Sequence, residues 1–246
     1  MIWIYIVLVA SVMVSGLLVY LLKLKSRQAL KLLLAFSAAF LIGISFLNLL
    51  PEIYEEHTIY IGLFVLLGFL LQLFLEVLTR GAEHGHEHDE EHCNQEDHVS
   101  PWLLMIGLSI HTFLEGMPIV EAFDTQLRHI FVLGIVVHKV PIAIALLTLF
   151  LHYGMNARKA FLLLFIFSLM TPLGSITSRL LQGALVQDIS HYFNYVMAVV
   201  VGIFLHVSTS ILFETDETHH YNYKKFLTVI LGIAVAFGIA LLGHGH

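Results

Sequence analysis

The chain has 246 residues, of which 58% are hydrophobic and 12% charged, with a formal net charge of −6 and a mean hydropathy of +0.86. So little charge cannot cover the surface of a water-soluble domain of this length, and no nucleic-acid partner is expected. The single cysteine, Cys93, excludes an internal disulfide framework and a cysteine-rich metal site.

Eight apolar segments follow one another: Ile2–Leu22, Leu32–Leu50, Ile59–Leu78, Pro101–Val120, Ile130–Leu151, Ala160–Leu181, Tyr192–Phe213 and Phe226–Leu242. Each approaches the roughly 20 residues that a helix needs to cross a bilayer. In hydrocarbon every backbone polar group needs an internal partner, so the segments are predicted to be helices. The expected fold is an all-α integral membrane protein, with eight transmembrane helices in one bundle and residues 1–246 forming a single domain. The first segment has no basic residue before it and no small-residue cleavage pattern after it. It reads as a retained span rather than a signal peptide.

Orientation follows from the basic residues. The first connector holds Lys23, Lys25, Arg27 and Lys31, the third Arg80, the fifth Arg158 and Lys159, and the seventh Lys224 and Lys225. The even connectors hold only Arg128 and Arg179, beside Glu52, Glu55, Glu56, Glu121, Asp124 and Asp188. Odd connectors are therefore expected in the cytoplasm and both termini outside, with the plasma (inner) membrane as the expected location.

The third connector, residues 80–100, carries His84, His86, His88, His92 and His98 among acidic residues. With almost nothing apolar to pack, it is expected to be disordered without a ligand. Histidine-rich tracts suit borderline metals such as Zn2+; a solvated loop of biased composition is the alternative.

The fourth span contains His111, Thr112 and Glu115, followed by Pro118; the fifth contains His138, Lys139 and Pro141. Ionisable groups at such depth cost about 2.5–3.5 kcal/mol each on insertion scales, and they persist where they face one another or a wet cavity. His111 and Glu115 are four residues apart and share a helix face. At about 1.5 Å per residue, His111 lies about 15 Å into its span and His138 about 12 Å into its own. Both depths are near the midplane of a core about 30 Å thick. Two imidazoles and a carboxylate form a ligand set that suits Zn2+ with an open position. The competing account is a pair of buried histidines bonded to helix carbonyls. Pro118, Pro141 and Pro172 are each expected to free a carbonyl four residues back, those of Leu114, Val137 and Ser168, either to line a polar path or to bend the helix.

At these residues the sequence resembles the ZIP family of metal transporters. His111-Thr-Phe-Leu-Glu115-Gly116 is similar to the family's fourth-span motif, usually His-Asn-x-x-Asp-Gly. His138-Lys-Val-Pro141 is similar to its fifth-span motif, usually His-Glu-x-Pro-x-Glu, and the stretch from Ala38 through Asn48 to Glu52 is similar to its second span. The resemblance implies a transporter, not an enzyme, that brings a divalent transition metal into the cytoplasm. Zn2+ is expected first, and Fe2+, Mn2+, Co2+ and Cd2+ remain open. The metal would be cargo rather than cofactor. His111, Glu115 and His138 are the expected ligands, with Asn48, Glu52, Thr112, Lys139, Thr171 and His206 along the path. A homodimer is among the assemblies the resemblance leaves open.

The departures are specific. Thr112 replaces the usual Asn, Lys139 and Ile142 replace two fifth-span carboxylates, and Thr171 stands where some relatives use a glutamate. A second metal site therefore looks dismantled, and loss of the carboxylate at Ile142 weakens the first. Lys139 either faces the site as a built-in cation or snorkels toward the outer surface. Two other classes stay in view: an intramembrane zinc-dependent hydrolase, which lacks a His-Glu-x-x-His motif or a nucleophile elbow here, and a metal sensor with no flux.

Overall fold

The computed structural model describes residues 1–22, 26–55, 59–79, 100–120, 125–185, 189–213 and 223–243, with residues 182–185 and 189–191 described by backbone alone. The histidine-rich connector and Cys93 lie outside the described residues.

The described chain is helical, in eight elements. They are α1 (Ile2–Leu22), α2 (Arg27–Tyr54), α3 (Ile59–Leu78), α4 (Pro101–Gly116), α5 (Thr125–His152), α6 (Ala157–Leu185), α7 (Ile189–Phe213) and α8 (Tyr223–Gly243). α1 and α3 coincide with their apolar runs. Others begin earlier, because a polar cap outside the hydrocarbon sets the first turn. Ser26 Oγ accepts from Ala29 N at 3.1 Å and Asn156 Oδ1 from Lys159 N at 2.8 Å, each satisfying an orphan donor. Between α5 and α6 the chain reverses at Gly154, whose φ of 73° suits a residue without a Cβ.

Seven of these helices are long and apolar enough to cross a membrane. α4 has 16 residues, about 24 Å. The chain continues beyond it through turns to Ile119 and Val120, both buried. The expectation that Pro118 interrupts a helix is corrected here. α4 closes at Gly116, and the Leu114 carbonyl accepts from Met117 N at 3.1 Å, so it is not freed. Pro141 and Pro172 do lie inside α5 and α6. A turn that the sequence did not announce is the π segment Ser45–Leu49 within α2, where Leu50 N reaches back to Ser45 O. It stands directly before Pro51, which has no N–H to continue the ordinary ladder.

The helices pack as two groups, α2, α3, α7 and α8 in one and α1, α4, α5 and α6 in the other, with α2 against α5 as the main contact between them. Two reciprocal crossings hold these groups at backbone distance. A methyl group on Gly68 of α3 would strike the carbonyl of Val199, and one on Gly202 of α7 that of Val65. In the other group, Gly116 abuts the Thr171 carbonyl and Gly174 that of Phe113. Small residues are what let membrane helices approach so closely.

The apolar interior is divided by depth. One cluster, including Leu8, Phe40, Ile61, Phe131 and Phe204, draws on both groups; Met1 and Ile239 also pack on it, which puts the ends of α1 and α8 on one side. Toward the other side the interior splits. Val12, Leu104, Leu147 and Phe167 belong to the α1, α4, α5, α6 group, and Ala38, Val207 and Ile211 to α2 and α7. Large exposed side chains such as Trp3, Leu63, Phe74 and Leu231 lie on the outer faces, as lipid requires.

Candidate functional site

Between these clusters lies a buried polar layer. His111, Thr112 and Glu115 of α4, His138 and Lys139 of α5, and Thr171 of α6 are each no more than 1% exposed. The His111 and His138 ring centroids are 6.1 Å apart with planes inclined by 70°. Bonds of about 2 Å to one tetrahedral cation would place two imidazole centroids about 5 Å apart, so the rings stand within about an ångström of a shared ligand position. One helical turn from His111, Glu115 is 3.6 Å from Lys139 Nζ through its Oε2. Lys139 also donates to Thr171 Oγ1, and its ammonium sits 5.5 Å from the centre of the Phe167 ring, within cation–π range. The snorkelling account of Lys139 is thereby overturned: its head group is held among α4, α5 and α6. The close backbone crossing explains why, since Gly116, next to Glu115, rests on the very residue whose hydroxyl takes the ammonium.

Some capacity in this layer is unused. Nε2 of His111, Oγ1 of Thr112 and Oε1 of Glu115 are buried and have no hydrogen-bond partner among the described residues. Buried polar atoms are nearly always paired, so an atom of this kind calls for an explanation, and an exchangeable ligand supplies one. No group of three or more His, Cys, Asp or Glu side chains stands in coordinating geometry among the described residues; Glu115 is turned to Lys139 instead.

The other path residues are more scattered. Asn48 lies in the π turn of α2, 7% exposed, with its Oδ1 unpaired among the described residues. Glu52 is exposed at the end of α2. His206 of α7 is buried against α3, its Nδ1 3.5 Å from Glu76 Oε2 and its ring edge-on to Phe69.

The sequence reading missed two α3 residues. Gln72 is fully buried and its Oε1 is 3.0 Å from His111 Nδ1; this contact fixes the ring, as an orienting partner fixes a metal-binding imidazole, and Nε2 is left without a hydrogen-bond partner among the described residues. Glu76 is the partner of His206. The signal was available: a glutamine and a glutamate four residues apart in an otherwise apolar span share one face and are costly there.

The lipid-facing apolar exterior, the membrane-length helices and the buried ionisable layer define an integral, multi-pass membrane protein. More narrowly, the chain belongs to the ZIP zinc transporter family, whose profile matches residues 1–101 and 79–240. It is 24% identical to the zinc transporter foi of Drosophila melanogaster over 57% of this chain and 20% of that protein. It is 30% identical to protein zntD of Dictyostelium discoideum over 53% of this chain and 20% of that protein. It is 24% identical to an uncharacterised protein of Methanocaldococcus jannaschii over 84% of this chain and 83% of that one. The aligned region thus spans about one fifth of the length of the fly and slime-mould relatives.

Proposed function

We propose that this chain carries a divalent transition metal, Zn2+ foremost, into the cytoplasm by alternating access about His111, Glu115 and His138. The observation that carries the reading is the pair of buried imidazoles 6.1 Å apart, with the Glu115 carboxyl and the Lys139 amine paired one turn away. The metal sheds its water, enters between His111 Nε2 and His138, and draws Glu115 from Lys139. The ammonium keeps Thr171 as its second partner, so it has a resting place when the carboxylate leaves. Because it occupies the position of a second cation, the site takes one metal. Gln72 holds the His111 ring in register throughout.

Alternating access is supported by the two helix groups and by the interior that is shared at one side and divided at the other. Such an arrangement suits a path sealed at the end carrying the termini and parting at the opposite, basic end. Membership of a transporter family favours transport over the hydrolase reading. The five connector histidines, His84 to His98, would receive the metal on arrival.

The test is Zn2+ uptake into proteoliposomes, with Fe2+, Mn2+, Co2+ and Cd2+ compared. His111→Ala, Glu115→Ala and His138→Ala should each strongly reduce uptake while the protein remains folded in the membrane. Unchanged uptake kinetics in all three variants would eliminate the site.

A further inference from the structure

We propose that Phe167 is a positioning residue for transport: the face of its ring holds the Lys139 ammonium when Glu115 turns to the metal, and so raises the affinity of the midplane layer for the ion. The proposal rests on the transport reading above and concerns a residue which that reading does not use. Phe167 and Thr171 are one turn apart on α6 and share a face. Both are fully buried. Lys139 donates to Thr171 Oγ1, and its Nζ lies over the Phe167 ring, 5.5 Å from the centroid. One helix thus meets the ammonium with a hydroxyl and with a π face. The ring is held from behind, because it belongs to the apolar cluster of Val12, Leu104 and Leu147.

A ring present in both states of the site alters metal affinity only if it favours one of them. In the metal-free layer Glu115 Oε2 stands 3.6 Å from Lys139 Nζ. A π face carries the negative part of the ring quadrupole, so it attracts a cation and repels an anion. An ammonium paired with a carboxylate therefore gains little from the ring. Once the metal draws Glu115 away, the same ammonium is uncompensated in a layer that excludes water, and the attraction acts in full. Cation–π contacts are strongest where the cation is desolvated in this way. Metal and ammonium then occupy the layer together, and the ring offsets part of their repulsion. A leucine would pack in the apolar cluster as well, but it has no quadrupole to offer.

The experiment keeps the shape of the ring and changes only its charge distribution. The full chain is made with one, two or three fluorines on the phenylalanine at position 167, since fluorine withdraws electron density from the π face. Zn2+ binding is measured by calorimetry and counted as the part lost in His111→Ala, which leaves the connector histidines out. The Kd should rise with each fluorine, to about three- to tenfold at three, and KM for Zn2+ uptake into proteoliposomes should rise in the same order. In Lys139→Met and Lys139→Gln backgrounds the series should be flat. A flat series in the parent chain overturns the proposal, as does a slope that survives in either background. A graded series in a chain that moves no Zn2+ would sink the transport reading and leave this one standing; uptake with a flat series would do the reverse. Absence of any Zn2+ binding sensitive to His111→Ala overturns both.

Discussion

Lys139 is the residue on which the stoichiometry of the site turns. It follows a metal-binding type of residue in the sequence, and its ammonium is fully buried against a carboxylate. Two unit charges about 6 Å apart repel by roughly 2.8 kcal/mol at an effective dielectric near 20, about a hundredfold in affinity. That is enough to keep a second cation out and to loosen the first. The double substitution Lys139→Glu with Ile142→Glu replaces this charge by two carboxylates on α5. It should bind a second metal and hold the first more tightly, as read by calorimetry or elemental analysis after correction for the connector histidines. An unchanged ratio and affinity in a folded double variant would refute the idea that the ammonium sets the stoichiometry. The direction of Lys139 was not legible in the sequence, because what settles it is Thr171, a hydroxyl 32 residues away on another helix. The matched depth of His111 and His138 was legible, since helical rise alone fixes it. Gln72 escaped for the first reason: a single amide in an apolar run shows its role only once α3 is placed beside α4.

Among the elements, the crossing of α4 and α6 positions the site most directly. Gly174 meets the Phe113 carbonyl and Gly116 the Thr171 carbonyl at distances where no Cβ fits. Backbone cannot yield as a flexible side chain does, so a larger residue must push the helices apart. Gly174→Leu should cost about 1–3 kcal/mol or more from overpacking, lowering the thermal midpoint in detergent and abolishing uptake by separating Glu115 from Lys139. Gly238→Leu on α8, where nothing lies within 4 Å of an added Cβ, is the control and should change neither. Equal midpoints for the two variants would mean that α4 and α6 do not cross at backbone distance. Helix existence was readable throughout from apolar length, and the bounds of α1 and α3 needed nothing more. Elsewhere they depended on caps such as Ser26 and Asn156, which lie outside the apolar run, and on Pro118 falling beyond a helix that had already ended at Gly116. The π turn around Asn48 left no mark in the pattern, because a single widened turn shifts the register by only one residue.

For the whole molecule the open question is which way the bundle faces. Its interior is continuous across both helix groups on the side of Met1 and Ile239, and divided on the other. Lys31, Arg158, Lys159, Lys224 and Lys225 belong to the divided side. A basic excess in short loops marks the cytoplasmic face, so the sealed side should look outward and the parted side into the cell. Cys93 provides a clean probe, being the one cysteine in the chain and lying in the connector after α3. A membrane-impermeant maleimide should fail to label it in intact cells and should label it once the membrane is permeabilised. The histidine connector would then stand where metal leaving the midplane layer arrives. Ready labelling in intact cells would place that connector outside, invert the bundle, and turn the proposed import into export.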